Sequence, residues 1–354
     1  MSNRLLNFRS GDKPMEEGRG LAGDDRMPMT IADIAKELGV SKSTVSRVIS
    51  GKGRIGDETR NRVQSWIRRH NYIPNSTARA LASNRTYNVA VVIPRDADRG
   101  DVPFFQDCLV GLAETFASRG YAAVLSVVDA SDASSLENLV RNRKVDGAIL
   151  TRLVENDASL DFLKDDALPF VVMGTSDEEG LYTVDSDNFA GCYELTKLLL
   201  GLGLRKLVFL AGSREHEVNL LRHKGFLEAC EGEDVKPVLE EWDVETVQDV
   251  SRALERSVEQ FPCCIVCTDD VICGKALAWL EKKGYSVPGD VKVASFYDSE
   301  ALKTHVPPVT ALSVSSWELC RTAGNALIDL VEEKSIDSRI PVGYQVKIRE
   351  STRV

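Results

Sequence analysis

The sequence lacks any apolar run of the ~20 residues that a helix needs to cross a lipid bilayer. Its first twenty residues, MSNRLLNFRSGDKPMEEGRG, contain no apolar segment of the signal-peptide type. We therefore expect a cytoplasmic protein with no membrane partner. The 354 residues are 43% hydrophobic and 28% charged, which is ordinary for globular proteins and sufficient for two or three domains.

Cysteine and histidine are present without the spacing that a metal site or a catalytic centre requires. The segment CCIVC at 263–267 has the pattern of a buried strand, whose neighbouring side chains point to opposite faces. No second CxxC and no histidine pair completes a metal site, so we expect reduced, buried thiols and no cofactor. The sequence also lacks a nucleophile elbow, a P-loop and a GxGxxG motif, and its four histidines have no evident catalytic partner. These absences argue against an enzyme.

Acidic residues outnumber basic residues in the whole chain, but basic residues are in excess near the N-terminus. The formal net charge is −10, yet residues 29–86 hold eleven Lys and Arg against four Asp and Glu, a net charge of +7. Residues 87–354 hold 28 against 45, a net charge of −17. A small basic region joined to a large acidic body is suited to binding nucleic acid, because only the basic region can neutralise phosphates.

The stretch 30–50, TIADIAKELGVSKSTVSRVIS, predicts two short helices joined by a tight turn. Gly39 can end the first helix in a left-handed conformation, and Ser41 can cap the second. The apolar positions recur at helical spacing: Ile31, Ile34, Ala35 and Leu38, then Val45 and Val48. Between them the second helix carries short polar or basic side chains: Lys42, Ser43, Thr44, Ser46 and Arg47. Such a helix suits a DNA major groove, and a plain helical hairpin is the alternative.

The segments before and after residues 30–50 predict how the rest of the N-terminal region is organised. Residues 1–28 are polar and glycine-rich, and we expect them to be disordered. A third helix beginning at Asp57 would close a three-helix core, so that residues 29–74 form a helix-turn-helix domain. Residues 75–86 predict a short linker helix too poor in apolar surface to be stable alone. Leu81 there would be covered by a partner subunit or inserted into a DNA minor groove, unless the segment is a plain linker.

From Tyr87 onward, short apolar strands alternate with amphipathic helices. The predicted strands are 88–94, 121–128, 146–151, 169–174, 206–212, 263–268 and 291–296, and predicted helices include 104–119, 132–143, 188–202, 215–231, 245–260, 270–283 and 315–334. Repeated strand–helix units imply parallel sheets covered on both faces. There are too many strands for one sheet with these loop lengths, so residues 87–354 predict two lobes with a ligand-binding cleft between them.

Taken together, residues 29 to 350 resemble the LacI family of bacterial transcription repressors. The motifs that carry the resemblance are the helix-turn-helix stretch and, in order, PFFQDCLVGL, VDGAIL, VDSDN, RHKGF, TDDVICGKAL, VPGDVKVASFYDS and PPVT. The resemblance implies an all-α helix-turn-helix headpiece, followed by an α/β two-lobed effector domain like a periplasmic binding protein. It also implies a homodimer that binds an inverted-repeat operator in double-stranded DNA, at the nucleoid.

The resemblance implies DNA-contact roles for ten residues. Lys42 and Ser43 occupy the positions that read bases most selectively, and Arg47 follows one helical turn later. Leu81 matches an intercalating leucine of the linker helix, which also carries Arg79. Contacts to phosphate and backbone are implied for Thr30, Ser41, Thr44, Ser46 and Asn75.

The resemblance also places an effector site in the cleft. Arg222 matches an arginine that reaches the ligand, and Asp270 matches a cleft aspartate. A cap of the helix at 270–283 is the alternative role for Asp270. Phe104 or Phe105 can stack on a sugar ring, with the other one in the core. Trp242 lies near the expected cleft rim, or else on the surface.

The effector is expected to be a mono- or oligosaccharide. The stretch His216–Glu217–Val218–Asn219 does not favour a nucleobase, and SFYDS with PPVT is most similar to the maltose-type branch of the family. The leading hypothesis is therefore a sugar-controlled repressor. A global carbon regulator controlled by a phosphorylated carrier protein is one alternative, and a solute-binding protein for transport is another.

Overall fold

The structure is a computed structural model that describes residues 29–50, 53–70, 72, 83, 85–95, 102–154, 156–176 and 178–353. The chain divides into two compact units, Met1–Ser83 and Asn84–Val354. The predicted tail at 1–28 lies outside the described residues. So do Asn75, Arg79 and Leu81 of the predicted linker helix.

The described residues up to 72 of the N-terminal unit form three helices, α1 (Ile31–Leu38), α2 (Lys42–Ser50) and α3 (Asp57–Arg69). Thr30 and Asp33 form a capping box at the start of α1, and Gly39 ends this helix with a φ of 65°. The predicted cap of α2 is confirmed, since the Thr44 amide donates to Ser41 Oγ over 3.1 Å. The three helices share one small core: Ile34, Ala35, Val45, Val48, Val63, Trp66 and Tyr72.

The second unit contains two lobes, each built on a six-stranded sheet. The N-lobe sheet has the strand order β11-β5-β4-β3-β1-β2, and its recorded pairings are all parallel. Its strands are β1 (Asn88–Pro94), β2 (Ala122–Val128), β3 (Ala148–Leu150), β4 (Phe170–Met173), β5 (Thr183–Ser186) and β11 (Arg339–Val342). Its helices are α4 (Val102–Ser118), α5 (Ser134–Arg141), α6 (Ala158–Asp165) and α12 (Ser316–Val331).

The C-lobe sheet has the order β12-β10-β9-β8-β6-β7, with β12 antiparallel to β10. Its strands are β6 (Leu207–Leu210), β7 (Leu239–Glu241), β8 (Cys264–Cys267), β9 (Lys292–Ser295), β10 (Thr310–Val314) and β12 (Tyr344–Lys347). Its helices are α7 (Asn188–Gly201), α8 (Glu217–Glu231), α9 (Val247–Ser257), α10 (Asp270–Lys283) and α11 (Glu300–Thr304). The described residues also include short 3₁₀ turns at Val258–Gln260 and Glu350–Thr352.

The chain passes between the lobes three times: from β5 to α7, from β10 to α12, and from β11 to β12. In each lobe, helices cover both faces of the sheet and enclose two apolar clusters, as the predicted α/β architecture requires. The fold prediction is therefore confirmed, and the strands at 183–186, 239–241, 310–314, 339–342 and 344–347 are additional to it.

The cysteine-rich strand has the predicted geometry. Along β8, Ile265 and Cys267 pack into one core cluster, whereas Cys264 and Val266 pack into the cluster on the opposite face. All eight cysteines are buried and are not in disulfides. Burial raises the pKa of the Cys263 thiol to about 12, so this thiol stays protonated and unreactive at neutral pH. In the described part of the chain, no helix combines the length and the apolarity that crossing a membrane requires.

Candidate functional site

The outward face of α2 carries the side chains that the sequence predicts to contact DNA. Lys42, Ser43, Ser46 and Arg47 are exposed, whereas Val45 on the opposite face is completely buried. The helix is thus fixed by its apolar side and free to present its basic and hydroxyl side chains to a partner. Side chains near the N-terminus of such a helix can reach base edges in a major groove.

A hydroxyl cluster surrounds the start of α2. Ser41 Oγ lies 2.8 Å from both Ser43 Oγ and Thr44 Oγ1. At the start of α1, Thr30 Oγ1 donates to Asp33 Oδ2 over 2.7 Å, and the Thr30 hydrogen bonds lower the pKa of this carboxyl. Both helix N-termini therefore present polar groups and backbone amides, an arrangement that suits phosphate contacts.

In the second unit, a cavity of about 240 Å³ lies between the two lobes. Its N-lobe wall includes Thr151 and Thr175 after β3 and β4, and Asp185 at the end of β5. Its C-lobe wall includes Arg222 of α8 and Asp270 at the start of α10. The cavity therefore lies at the carboxyl ends of the strands, where the sequence predicts the cleft.

Arg222 is fixed from two sides. Its Nη1 donates to the Thr268 carbonyl over 2.7 Å, and its Nε donates to Asn188 Oδ1 over 3.1 Å. The position of α8 depends on Gly225, because a Cβ at that position would lie 2.3 Å from the Phe189 carbonyl oxygen of α7. The sequence motif RHKGF thus combines a cleft arginine with the glycine that lets its helix approach α7 closely.

Asp185 is a partly buried carboxylate of the cavity wall that accepts hydrogen bonds at both of its oxygens. Thr175 Oγ1 donates to its Oδ2 over 2.8 Å, Asn188 Nδ2 donates to the same oxygen over 3.0 Å, and the Ser186 amide donates to Oδ1 over 2.7 Å. Desolvation raises the pKa of Asp185, while these hydrogen bonds and the nearby Arg222 oppose that effect. Asn188 therefore links the carboxylate to the guanidinium of Arg222 in one polar chain.

Aromatic rings from both lobes meet at the cavity. The Phe104 and Tyr297 rings are 6.2 Å apart in an edge-to-face arrangement, and the Arg222 guanidinium lies 5.8 Å from the Tyr297 ring centre. Phe104 is partly buried, whereas Phe105 is only 4% exposed and belongs to the N-lobe core, although both line the cavity. One phenylalanine is thus largely core, as the sequence predicts, and the other presents more of its surface.

Asp270 lines the cavity without capping the helix that it begins. The N-cap of α10 is Asp269, whose Oδ1 accepts from the Ile272 amide over 2.8 Å. The capping alternative for Asp270 is therefore wrong. Burial raises the pKa of the Tyr297 hydroxyl, and the Asp270 charge raises it further, so these two side chains interact electrostatically within the cavity.

Trp242 is not among the residues that line the cavity, so the structure does not place it where an effector contact requires. Its ring is partly exposed, which agrees with the surface alternative. Its ring packs edge-to-face against His223, with centres 4.8 Å apart, and the Arg214 guanidinium lies 4.4 Å from its centre. It also contacts Phe209 of the C-lobe core, with ring centres 6.0 Å apart. The indole is held at the outer side of the core because it follows β7, the edge strand of the C-lobe sheet.

Sequence reasoning missed several cavity residues. Asp185 and Asn188 belong to the quoted motif VDSDN, and Tyr297 belongs to SFYDS, yet none was assigned a role. A signal was available, because each follows or ends a predicted or observed strand, where cleft residues concentrate. Arg152 directly follows the predicted strand at 146–151, so the same signal applied to it. His216 lies four residues after the predicted strand at 206–212, and nothing local in the sequence shows that both residues line one cavity.

The chain matches known regulators in sequence. Residues 30–75 match the family described as "Bacterial regulatory proteins, lacI family", and residues 196–352 match the "Periplasmic binding protein-like domain". The HTH-type transcriptional regulator MalR of Staphylococcus xylosus is 30% identical over 325 residues, which cover 87% of this chain and 93% of that protein. The HTH-type transcriptional repressor PurR of Haemophilus influenzae (strain PittEE) is 28% identical over 337 residues, covering 92% and 98%.

Solved structures of regulators share the fold. The transcriptional regulator CelR in complex with cellobiose has a TM-score of 0.67 and 25% identity, covering 91% of this chain and 99% of that one. The lac repressor dimer bound to operator and the anti-inducer ONPF has a TM-score of 0.75 and 21% identity, covering 93% and 100%. With 30% identity to MalR across nearly the whole of both proteins, the chain belongs to the LacI family of bacterial regulatory proteins, in which a helix-turn-helix unit is joined to a periplasmic-binding-protein-like domain.

Proposed function

We propose that this chain is a cytoplasmic transcriptional repressor that binds an inverted-repeat operator as a homodimer, and that a sugar in the interlobe cavity controls its affinity for the operator. The observation that carries this proposal is the chemistry of that cavity. It combines two carboxylates, Asp185 and Asp270, with the Arg222 guanidinium and the Phe104 and Tyr297 rings. Carboxylates accept hydrogen bonds from sugar hydroxyls, and aromatic rings cover the apolar faces of a sugar ring.

The proposed DNA contacts are supported by the exposed face of α2 and by the polar groups at the N-termini of α1 and α2. We assign base reading to Lys42, Ser43 and Arg47, since their side chains share the exposed face of α2. Lysine and arginine can donate to guanine O6 and N7. We assign phosphate contacts to Thr30, Ser41, Thr44 and Ser46 at or near the helix N-termini. The predicted roles of Asn75, Arg79 and Leu81 remain part of this proposal, and their positions lie outside the described residues.

Dimerisation is supported by apolar side chains that the single chain leaves exposed. Leu109 and Val110 of α4 are 37% and 54% exposed, and Leu125 and Val127 of the edge strand β2 are 52% and 36% exposed. Covering these side chains with a second copy of the N-lobe would remove apolar surface from water and complete the open sheet edge. The linker that leads into β1 would then bring two DNA-binding units together on one operator.

Control by the effector follows from the position of the cavity. A ligand that accepts or donates hydrogen bonds on both walls changes the relative stability of lobe arrangements. The residues that connect to the DNA-binding unit lead directly into β1 of the N-lobe, so a change in lobe angle alters how the linker segments of a dimer can pair. Sugar and operator then affect each other's binding by the same factor.

The test is a binding assay with the full-length protein. Fluorescence anisotropy measures binding to a labelled fragment of the promoter of the chain's own gene and to random DNA of the same length at physiological salt. A thermal-shift screen compares sugars with purine bases, since PurR is among the relatives. We expect preference for the promoter fragment and stabilisation by a sugar. Equal affinity for both DNA fragments would contradict repression through a specific operator, and stabilisation by a purine alone would contradict the sugar assignment.

A further inference from the structure

The end of the linker is fixed to the N-lobe by one carboxylate. Asp146 lies in the loop before β3, and its Oδ1 accepts from the Thr86 amide over 2.7 Å and from Thr86 Oγ1 over 2.9 Å. Its Oδ2 accepts from the Tyr87 amide over 2.7 Å. Both oxygens of this partly buried side chain therefore hold two consecutive residues of the segment that enters β1. We call Asp146, Thr86 and Tyr87 the linker anchor.

Tyr87 has an unusual backbone conformation within the linker anchor. Its φ is 58°, in the left-handed region that bulky residues seldom adopt. The Tyr87 carbonyl accepts from the Ala122 amide over 2.8 Å, and its ring packs against Tyr121, with ring centres 5.3 Å apart. Together with the hydrogen bond from its amide to Asp146, these contacts hold the unfavourable conformation. The chain therefore enters β1 through one fixed backbone conformation.

The loop that carries Asp146 packs against the helix that arrives from the C-lobe. Gly147 is the next residue, and a Cβ there would lie 2.9 Å from side-chain carbons of Leu327 and Val331 on α12. Only glycine permits so close an approach of the loop to this helix. α12 follows β10 of the C-lobe, and Ser316 in its first turn lines the interlobe cavity. The linker anchor is thus in packing contact with an element that begins at the cavity.

The strand β3 also connects the linker anchor to the cavity. Asp146 precedes this strand, and Thr151, which lines the cavity, directly follows it. The extended chain between these two residues spans roughly 17 Å. β3 is buried along its whole length and pairs with β1 and β4, so it transmits displacements as a rigid element. Thr86 and Asp146 themselves are not among the described residues that line the cavity.

Loss of the linker anchor would loosen the linker and leave the sheet in place. β1 pairs with β2 from Asn88 onward and with β3 from Ala90 onward, independently of the Asp146 side chain. Without that carboxylate, residues 86 and 87 would be free to rotate, and each freed residue extends the reach of the linker by up to about 3.6 Å. These residues would then absorb a change in lobe angle before it reached the rest of the linker.

We propose that Asp146 is a positioning residue that fixes the linker to the N-lobe, and that the effect of the bound sugar on operator affinity passes through the linker anchor. This inference rests on the proposed sugar control. It separates two properties of the protein, because Asp146 and Thr86 then govern how DNA binding responds to the sugar and leave the binding of the sugar itself unaffected.

The experiment uses the full-length protein and the sugar that the thermal-shift screen selects. Calorimetry measures the affinity for this sugar, and anisotropy measures the affinity for the labelled promoter fragment with and without it. Asp146→Asn keeps the shape of the side chain but replaces one acceptor oxygen by a donor group. Thr86→Val removes the hydroxyl that donates to Asp146, and Thr86→Ser retains a hydroxyl. Melting temperatures report the structural cost of each substitution.

Asp290→Asn is the matched control. Oδ2 of Asp290, in the loop before β9 of the C-lobe, accepts from the Ser286 amide over 2.8 Å and from Ser286 Oγ over 2.6 Å. A carboxylate thus receives the amide and the hydroxyl of one residue, as in the linker anchor, but in the other lobe. Like Asp146, Asp290 is not among the described residues that line the cavity.

We expect the sugar-dependent change in operator affinity to fall from at least roughly fivefold in wild type to less than about twofold in Asp146→Asn. The sugar affinity and the preference for the promoter fragment over random DNA should be retained. Thr86→Val should reduce the change in the same direction, since one of three hydrogen bonds is lost. Thr86→Ser and Asp290→Asn should keep the full change, whatever their melting temperatures.

The opposing outcomes separate this inference from sugar control. A full sugar-dependent change in Asp146→Asn, or an equal loss of the change in Asp290→Asn, would overturn the role of the linker anchor while wild type still responds to sugar. A parallel loss of sugar affinity in Asp146→Asn would also overturn it, because Asp146 would then act on the cavity.

If Asp146→Asn does not fold, Thr86→Val decides. A full change in this variant overturns the inference, and a reduced change that Thr86→Ser restores supports it. If wild type itself shows no sugar-dependent change, sugar control fails, and the inference that rests on it fails with it.

Discussion

The guanidinium of Arg222 and the side-chain amide of Asn188 are hydrogen-bonded, with Nε donating to Oδ1 over 3.1 Å. Through the other end of its amide, Asn188 donates to the carboxylate of Asp185. The strand end of the N-lobe and the helix α8 of the C-lobe are thus connected through one residue at the first passage between the lobes. A ligand that contacts Arg222 or Asp185 therefore acts on a junction between the lobes.

Arg222→Lys should abolish most of the sugar response while leaving DNA binding in the absence of sugar intact. A lysine ammonium cannot donate to both Thr268 and Asn188 in the planar geometry of a guanidinium. We expect sugar affinity to fall by at least roughly tenfold, the effect of losing a charged hydrogen bond. Calorimetry measures the sugar affinity, and anisotropy with labelled operator DNA measures DNA binding in the absence of sugar. Arg205→Lys, at an exposed site beside Glu233, is the control, and an equal loss of sugar binding there would contradict the role of Arg222.

Phe104→Ala and Phe105→Ala should have different effects. Phe105 is core, so its truncation should cost roughly 3–5 kcal/mol of unfolding free energy. Phe104 is partly buried and faces Tyr297, so its truncation should cost less stability and weaken sugar binding by roughly 2- to 10-fold, the range of one ring contact. Urea denaturation and calorimetry on both variants check this. A sugar affinity unchanged in Phe104→Ala would show that this ring does not contact the effector.

Gly225→Ala should destabilise the second unit, because its Cβ would collide with the Phe189 carbonyl at 2.3 Å and force α7 and α8 apart. We expect a cost of roughly 1–3 kcal/mol, as for other overpacked sites, together with weaker sugar binding as Arg222 moves. Gly201→Ala is the matched control, since no atom lies within 4 Å of its Cβ position and alanine favours helix. Equal melting temperatures for the two variants would contradict the close helix contact.

The pH dependence of stability should include a contribution from Asp249. Hydrogen bonds from Thr246 lower the pKa of Asp249 to about 2. Because the folded-state pKa lies below the unfolded one, the ionised carboxylate stabilises the fold above the ordinary pKa, and this contribution is lost as the pH falls through about 2. Asp249→Asn should therefore be destabilised at pH 7 by about 1 kcal/mol, the usual worth of a capping residue, and the difference from wild type should shrink towards pH 2. Urea denaturation at pH 7, 5 and 3 measures it, and a difference that grows on acidification would contradict the assignment.

Lys42→Ala should change which operator sequence is preferred. Lys42 is exposed at the start of α2, where a side chain reaches base edges. Binding selection from a randomised operator library compares this variant with Lys36→Ala, which removes the same charge from an exposed site on α1. A uniform loss of affinity across sequences for Lys42→Ala would instead identify this lysine as a phosphate contact.

Much of the fold could be predicted because its elements carry local signals. The helix-turn-helix and the apolar strands such as β1 and β8 show their pattern within a few residues. The strands that escaped prediction are short, and β7, β11 and β12 are partly exposed, so they have no continuous apolar pattern. β11 forms by parallel pairing with β5. Arg339 pairs with Thr183, which lies 156 residues earlier in the chain. Such pairing is set by the folded chain and leaves little trace in the local sequence.

The candidate site, like the fold, could be predicted from the sequence only in part. Arg222 and Asp270 lie in the cavity wall where motif and strand-end reasoning predict them. Trp242 does not, because the apolar contacts of its ring with Phe209 and His223 hold it at the outer side of the C-lobe core. The hydrogen bonds among Asp185, Asn188 and Arg222 depend on the approach of α7 and α8, which a single motif cannot reveal.

Control of operator binding by a sugar is tested most directly by an anisotropy titration of a labelled promoter fragment with the full-length protein, with and without the sugar that the thermal-shift screen selects. We expect specific binding of a dimer and a sugar-dependent change of at least roughly fivefold in the dissociation constant, the lower range of allosteric coupling, with the change lost in Arg222→Lys. A dissociation constant that is the same with and without saturating sugar would contradict it.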